Sequence, residues 1–327
     1  MPRITLGEQS FTASKDTPLL DSLLQANITI PYGCRQGVCQ ACMVRSLDAT
    51  PPANAQLGLK NTLQQQNYFL ACRCYPEQDM CIALPNQNSF SVNATVTDKH
   101  YLAPDILRLT VHYDTALKFF AGQFINLQRE DGLTRSYSIA NRPNPAQELE
   151  FHIRRLANGQ FSNWVHDGLQ IGQTLKLSHA QGNCHYLPEN QEQPLLLIGT
   201  GSGLAPLYGI LNDALHHGHT GPIQLFHGSR APDGLYLTKE LRRLADRYAN
   251  FSYTACLSSD CNVSGYTQGR AHDVALADKN TLKGWRVYLC GHPDMVKQTQ
   301  RTAYIKGASL KDIYTDAFVT GQPTTAA

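Results

Sequence analysis

The stretch PYGCRQGVCQACMVR (residues 31–45) carries Cys34, Cys39 and Cys42 in the spacing C-x4-C-x2-C, with Gly33 and Gly37 among them. Three thiols this close suit zinc, a disulfide nest, a redox dithiol or an iron–sulfur cluster. A zinc ribbon uses two close C-x2-C pairs, whereas this group is a trio. A thioredoxin-like C-x-x-C sits between strand and helix, whereas Cys39 and Cys42 follow a glycine-bearing loop. Thirty positions on, FLACRC (residues 69–74) brings a further thiol, Cys72 or Cys74. Together they make the four-thiolate spacing of a [2Fe–2S] site, with zinc as the alternative. Gly33 and Gly37 fit that reading: a loop around a cluster brings its backbone close and aims several N–H groups at the sulfides, and glycine permits both.

The rest of the composition narrows the class. A chain of 327 residues has room for two or three domains, each with its own core. Its net charge of +2 gives no reason to expect a nucleic acid or an anionic membrane as partner. No apolar run approaches the roughly 18 residues of a membrane span. The N-terminal MPRITLGEQSFTASKD alternates like a strand and has no apolar block of a secretory leader. A cytoplasmic, reducing location is therefore expected, where clustered cysteines serve metal or redox chemistry rather than disulfides. Six of the ten cysteines fall within the first 81 residues, so that chemistry belongs to an N-terminal module. Cys184, Cys256, Cys261 and Cys290 are scattered and read as small buried residues unless a motif says otherwise.

Residues 1–90 resemble a plant-type ferredoxin, and LACRCYPEQD places Cys72 on the position of that family's last ligand. The resemblance thus assigns the metal set Cys34, Cys39, Cys42 and Cys72, with Cys74 and Cys81 as core residues. Gln40 departs from the family, which often has glycine there; it lies between ligands and need not disturb them. TPLLDSLLQAN (residues 17–27) predicts a helix with Thr17 as N-cap, Pro18 at its first position, and Leu19, Leu20, Leu23 and Leu24 on one stripe. RITLG and SFTAS predict a hairpin. The module carries six Lys/Arg and six Asp/Glu. Free plant ferredoxins resemble acidic shuttles; a neutral module tethered to its donor has less need of electrostatic steering.

From residue 91 short alternating segments separated by Pro, Gly, Asn and Asp predict a small antiparallel barrel. Within it TRSYSIAN (residues 134–141) matches the R-x-Y-[ST] flavin motif of the ferredoxin–NADP reductase superfamily. Arginine suits a pyrophosphate, and tyrosine offers a flat face to a flavin ring. The resemblance makes Arg135, Tyr137 and Ser138 flavin contacts, with Ser138 able to tune the ring through N5. Ile153 and Arg154 fall on a flavin-contacting strand of that family, though Ile153 reads equally well as barrel core. NGQFSNWV (residues 158–165) matches the G-x-x-S that opens a helix under the flavin pyrophosphate, giving Gly159, Phe161 and Ser162. Gly172–Gln173, and a missing proline before Gly182, depart from the family's GD and GPxG and bear on the loop near the flavin.

PLLLIGTGSGLAPLYGIL (residues 194–211) reads as a buried strand, a glycine-rich turn and a helix, and alternating β and α continues to the end. The turn is not G-x-G-x-x-G, because position 204 is leucine. It matches the G-T-G-x-G-x-A-P motif of the same superfamily, which assigns Thr200, Gly201, Gly203 and Pro206 to a nicotinamide dinucleotide. YLCGHPDM (residues 288–295) matches C-G-x-x-x-M; the resemblance places Cys290 beside the nicotinamide, with Gly291 and Met295. His292 stands where relatives have proline and reads as a surface or packing residue. Phe318 resembles a terminal aromatic that covers the flavin. HGSR (residues 227–230) has no acid for a free ribose hydroxyl, and Ser229 and Arg230 suit a 2′-phosphate. The oxygenase reductases that the chain resembles mostly use NADH, so NADH is expected, with NADPH as the alternative.

The expected architecture is multidomain α+β and α/β: a β-grasp ferredoxin (1–90), an antiparallel β-barrel FAD domain (91–190) and a doubly wound parallel-sheet NAD(P)H domain (191–327). That order resembles the reductase components of multicomponent bacterial oxygenases. The resemblance implies a monomeric NADH:acceptor reductase containing FAD and a [2Fe–2S] cluster. A hydride would pass to the flavin and single electrons through the cluster to a terminal oxygenase or hydroxylase. Cys290, Ser138 and Tyr137 are the candidate catalytic residues. Three other readings share these features: a CDP-sugar deoxygenation reductase, a stand-alone flavin or ferredoxin reductase, and a redox sensor. The final substrate is not written in the chain, because it belongs to the acceptor.

Overall fold

The computed structural model describes residues 1–32, 35–37, 40–84, 90–259, 264–277 and 279–318. The chain divides into two compact units, Met1–Asn88 and Ser89–Ala327. Among the described residues no helix is long and apolar enough to cross a membrane.

The first unit runs β1 (Arg3–Leu6), β2 (Gln9–Thr12), α1 (Leu19–Gln25), β3 (Met43–Ser46), α2 (Asn61–Gln65), β4 (Tyr68–Leu70) and β5 (Met80–Ala83). The sheet order is β2-β1-β5-β3-β4, with β1 and β5 parallel. One helix laid on a mixed five-stranded sheet is the β-grasp arrangement. The hairpin expected at residues 3–12 pairs antiparallel, Arg3 opposite Thr12. Leu19, Leu20 and Leu23 are fully buried in the core with Ile4, Val44, Phe69 and Ile82. One local expectation is corrected: Pro18, not Thr17, is the N-cap of α1, and no side chain caps that end. With φ of −56° and ψ of 142°, Pro18 is still extended and the helix starts one residue later.

The second unit begins with β6 (Phe90–Ala103), β7 (Ile106–Tyr113), β8 (Phe124–Gln128), β9 (Thr134–Ser138), β10 (Glu148–Arg154), α3 (Gln160–Asp167) and β11 (Thr174–Ser178). These strands form one antiparallel sheet in the order β10-β7-β6-β11-β8-β9. An Ile139–Phe151 bridge joins the two ends and closes the barrel. Closure removes both edges and leaves a filled interior of Val92, Leu109, Val111, Ile125, Leu127, Phe151, Ile153 and Leu177.

The chain continues through β12 (Leu195–Thr200), α4 (Leu204–His216), β13 (Ile223–Ser229), α5 (Thr238–Arg247), β14 (Phe251–Leu257), β15 (Thr267–Gln268), α6 (Ala271–Ala277), β16 (Arg286–Gly291), α7 (Pro293–Ile305) and β17 (Ile313–Ala317). All six strands are parallel, ordered β15-β14-β13-β12-β16-β17. Leu195, Leu196, Leu197 and Ile198 are fully buried because both faces of β12 are covered. The order reverses between β13 and β16 on either side of β12, so ligands are expected at the C-terminal end of that strand.

Candidate functional site

In the first unit the Ala71 N–H donates to the Cys42 carbonyl at 3.0 Å, next to the Met43–Leu70 strand pair. Cys42 and Cys72 therefore stand close together where β3 begins and β4 ends, and both are nearly fully buried. Cys74 is held elsewhere: its carbonyl accepts from Leu19 N–H at 2.8 Å, under α1, and its side chain is 0% exposed. Burial pushes the Cys74 thiol up to about 12, in keeping with its packing in the core. Cys81 is only partly buried, so the expectation of a core position is corrected for it; it sits on β5, whose side chains alternate in and out. Cys34, Cys39 and Gly33 lie outside the described residues. Among the described residues no group of three or more His, Cys, Asp or Glu converges as a metal site.

Among the described residues of the loop beside these cysteines, Arg35, Gly37 and Gln40 have left-handed backbone. Gly37 takes φ +84°, and a Cβ there would press on Arg73 Cγ at 3.1 Å. Gln40 adopts φ +57° and is pinned by its Nε2 donating to the Gly58 carbonyl at 2.8 Å. A left-handed backbone favours glycine; here Gln40 adopts it with its side chain held by that bond.

The barrel holds the second cluster of site residues. Arg135 is exposed on β9, its Nη1 donating to the Thr134 carbonyl at 2.7 Å. Tyr137 packs against the barrel core beside Phe161, their rings 5.7 Å apart and tilted. Burial raises the Tyr137 phenol, so it is a neutral, flat surface. Ser162 Oγ accepts from Leu156 N–H and donates to the Gly159 carbonyl, both at 3.2 Å, which shapes the turn into α3. Gly159 caps α3 with no side-chain bond, leaving first-turn N–H groups for an anion. Phe161 is 1% exposed and belongs to the core. Ile153 is 0% exposed inside the barrel, and its carbonyl accepts from His166 Nε2 at 3.0 Å. Its side chain lies in the barrel core, the alternative that the sequence left open for it.

Both departures near the flavin loop have local substitutes. Gln173 Oε1 accepts from Gln170 N–H at 2.8 Å and closes the turn there. Without the proline, the loop at Gly182 is tied to the barrel by Gln123 Nε2, which donates to the Gly182 carbonyl at 3.0 Å.

At the C-terminal end of β12 the chain turns tightly through Gly201–Gly203 into α4. A Cβ on Gly203 would lie 2.3 Å from the Cys290 carbonyl oxygen and 2.8 Å from Gly291 Cα. On Gly291 it would lie 2.6 Å from Thr200 Oγ1, which accepts the His292 N–H at 3.1 Å. Two loops thus interlock at backbone distance. α4 is capped by Gly203 without a side-chain bond, and Pro206 is buried in its first turn. Arg154 reaches across from the barrel, bonded through Nε to Asp105 Oδ2 at 2.7 Å; its Nη1 is 3.1 Å from where a Gly201 Cβ would stand. An open guanidinium facing an uncapped helix start is a fitting cradle for a diphosphate.

Cys290 is fully buried at the end of β16, its Sγ 3.7 Å from Cys184 Sγ, and burial holds its thiol well above the ordinary range. Met295 is buried in the first turn of α7. His292 is the N-cap of that helix, with Nδ1 accepting from Asp294 N–H at 3.3 Å and Pro293 at the first position. Phe318 is partly exposed, and its N–H donates to the Gly291 carbonyl at 2.8 Å. Ser229 is half-buried on β13 and Arg230 exposed beyond it.

Two site residues carry no motif. Asp316 on β17 pairs in register with Cys290 and accepts the Ser138 hydroxyl at 2.6 Å. Burial pushes the Asp316 carboxyl up, and the serine bond draws it partway back. The flavin-motif serine and the nicotinamide-motif cysteine thus meet around one carboxyl. Cys184, beside Cys290, is the other. The only sequence signal for Asp316 is an acid near the end of the last strand.

Comparisons with known proteins agree with this geometry. Residues 4–77 match the 2Fe-2S iron-sulfur cluster binding domain, 93–186 the oxidoreductase FAD-binding domain and 197–301 the oxidoreductase NAD-binding domain. The chain is 32% identical to the naphthalene 1,2-dioxygenase system ferredoxin–NAD(P)(+) reductase component of Pseudomonas putida, over 93% of this chain and 94% of that protein. It is 30% identical to the terephthalate 1,2-dioxygenase reductase component 2 of Comamonas sp., over 95% of each. Among solved structures, the ferredoxin reductase in carbazole 1,9a-dioxygenase shares 28% identity with a TM-score of 0.64, covering 97% of this chain and 98% of that one. The Amycolatopsis cytochrome P450 reductase GcoB shares 27% with a TM-score of 0.68, covering 97% and 99%. With a [2Fe–2S], an FAD and an NAD(P)H module in this order, the chain belongs to the NAD(P)H-dependent iron–sulfur flavoprotein reductases that form the reductase components of bacterial oxygenase systems.

Proposed function

We propose that the chain takes electrons from NADH and delivers them singly to a terminal oxygenase or hydroxylase component. It works as a cytoplasmic monomer of three domains, 1–90, 91–190 and 191–327. In this reading Cys34, Cys39, Cys42 and Cys72 hold the cluster. Tyr137 lies along the flavin ring, Arg135 and the start of α3 take the flavin pyrophosphate, and the Thr200–Gly203 turn takes that of the nicotinamide nucleotide. Cys290 and Met295 border the nicotinamide, and Ser229 and Arg230 lie at its adenosine end. Bound there, the flavin supplies the conversion between a two-electron hydride and the one-electron steps of the cluster. Hydride delivery needs no side-chain acid or base. What the chain contributes is position: Ser138 and Asp316 share a proton at the flavin edge, and buried Cys290 keeps water from the reacting face.

The observation that carries this reading is the Ser138–Asp316–Cys290 convergence, because it joins the flavin motif of the barrel to the nicotinamide motif of the parallel sheet. The reducing setting that clustered thiols require supports the cytoplasm. Iron, flavin and zinc analysis with an absorption spectrum tests the first part: two irons and one FAD per chain are expected, and zinc or no flavin overturns it. NADH and NADPH titrations against cytochrome c decide the donor. Size-exclusion chromatography with light scattering tests the monomer. Restored hydroxylation on adding this protein to a purified terminal oxygenase tests the acceptor.

A further inference from the structure

His227 lies on β13 opposite Gly199 of β12, one step from the glycine-rich turn, and is 0% exposed. Its Nε2 is 3.1 Å from the Gly201 carbonyl oxygen, while its Nδ1 has no hydrogen-bond partner among the described residues. A carbonyl only accepts, so Nε2 carries the proton and the ring is the neutral Nε2–H tautomer. Burial pushes its pKa down to about 4, consistent with a ring that stays neutral. Its face is fixed by Tyr236, which meets it edge-on at 5.5 Å and 87°. Tyr236 is itself held from the barrel: its hydroxyl is 3.1 Å from His152 Nδ1, whose Nε2 is 2.8 Å from Glu150 Oε1.

We propose that His227 is a positioning residue for the nicotinamide dinucleotide: it anchors the Gly201 carbonyl and so aims the N–H groups of the Gly201–Gly203 turn at the diphosphate. The physical reason is that Gly201 sits at φ +54° with open space on its ligand side, where only Arg154 Nη1 comes within 4 Å of a would-be Cβ. The Leu204 N–H that closes the turn also donates to the Gly201 carbonyl, so His227 adds a second bond that sets the sideways tilt of that peptide. A carbonyl tethered from beneath fixes the peptide plane, and the N–H groups above follow it. The tether is rigid because its donor is a stiff ring, braced through Tyr236 and His152 by the flavin barrel. This inference rests on the reading that the turn binds the dinucleotide.

The test uses the holoprotein with NAD+ as probe. Equilibrium dissociation constants come from calorimetry, NADH KM and saturating flavin-reduction rates from stopped flow, and melting temperatures from the same preparations. Gln places its amide nitrogen close to Nε2, whereas Asn places its own near Nδ1. His227→Phe and His227→Asn are expected to weaken NAD+ about tenfold, the worth of one ordinary hydrogen bond, with NADH KM rising in step. His227→Gln is expected to stay within about threefold of the wild type. All three should keep the saturating rate, whatever their melting temperatures. A Gln variant as weak as Asn, or a Phe variant that binds NAD+ normally, overturns the proposal. Should the Phe variant not fold, the Gln–Asn pair alone decides. Gly201→Ala separates the two readings. If it leaves NAD+ binding intact, the turn is not the dinucleotide site; if it weakens binding while His227→Phe does not, only the role of His227 falls.

Discussion

Substituting Gly203 by alanine adds one methyl group at the tightest point of the site. That Cβ would stand 2.3 Å from the Cys290 carbonyl oxygen and 2.7 Å from its carbon, where ordinary contact begins at 3.4 Å. Both obstacles are backbone and cannot swing aside, so the turn and the end of β16 must part by about 1 Å. A misplacement of that size typically costs about 100-fold when the reacting groups are held by the displaced parts. That corresponds to about 2.7 kcal/mol in the barrier. The assay is anaerobic stopped flow, following flavin bleaching against NADH concentration, with dithionite reduction and flavin and iron content showing that the folded holoprotein is intact. Gly201→Ala is the internal scale. Its Cβ meets only the side-chain end of Arg154 at 3.1 Å, and a left-handed φ of +54° adds backbone strain of about 1 kcal/mol, so a loss of about tenfold is expected. The reasoning is refuted if Gly203→Ala bleaches at the wild-type rate and KM, or if Gly201→Ala is the worse of the two.

Three further outcomes follow from the same contacts. Cys72→Ser should abolish the visible iron–sulfur absorbance, whereas Cys74→Ser should keep it and lose about 1–3 kcal/mol of stability from a buried hydroxyl, measured by denaturant unfolding. Asp316 has a raised carboxyl pKa, so its contribution is complete below about 3.8 and is lost as pH rises through the shifted value. The melting temperature of Asp316→Asn should therefore gain on the wild type as pH rises above about 3.8; a constant difference contradicts it. His227 titrates the other way: a ring kept neutral to about 4 instead of 6.5 supports the fold above 6.5 and withdraws about 3 kcal/mol as pH falls to 4. Replacing it with glutamine should flatten urea stability across that window by a comparable amount, and an unchanged slope speaks against a neutral buried imidazole.

Much of the site was legible because its chemistry is written in residue types that tolerate few substitutes. A glycine that must pass within contact of a backbone carbonyl, as Gly203 does, leaves a mark in the sequence. So do an exposed arginine two residues from a tyrosine on a strand and a trio of cysteines. Elements whose identity is set by tertiary pairing were harder. TLKLS (residues 174–178) alternates as a strand should, yet it is five residues long and follows a glycine turn, and only pairing with β6 and β8 makes it β11. AHDVALA (residues 271–277) is helical in the structure but two turns long, too short for its periodicity to stand out. Asp316 and His227 escaped for another reason. An acid or a histidine on a late strand is ordinary, and its role appears only when the fold brings Ser138 or Gly201 against it from far along the chain. Ile153 is the converse case: strand alternation sends its side chain into the barrel core, one of the two places the sequence allowed.

The division at residues 88 and 89 also assigns the native chromophores. Trp164, with Arg129 over its ring at 5.4 Å, and Trp285, with Lys279 Nζ at 4.7 Å, are the only tryptophans, and both belong to the second unit. Indole emission is then a reporter for the flavin–nucleotide half alone, while visible iron–sulfur absorbance reports the other half. A single denaturant titration, read at two wavelengths, gives the order in which the electron entry and exit halves come apart without any added label.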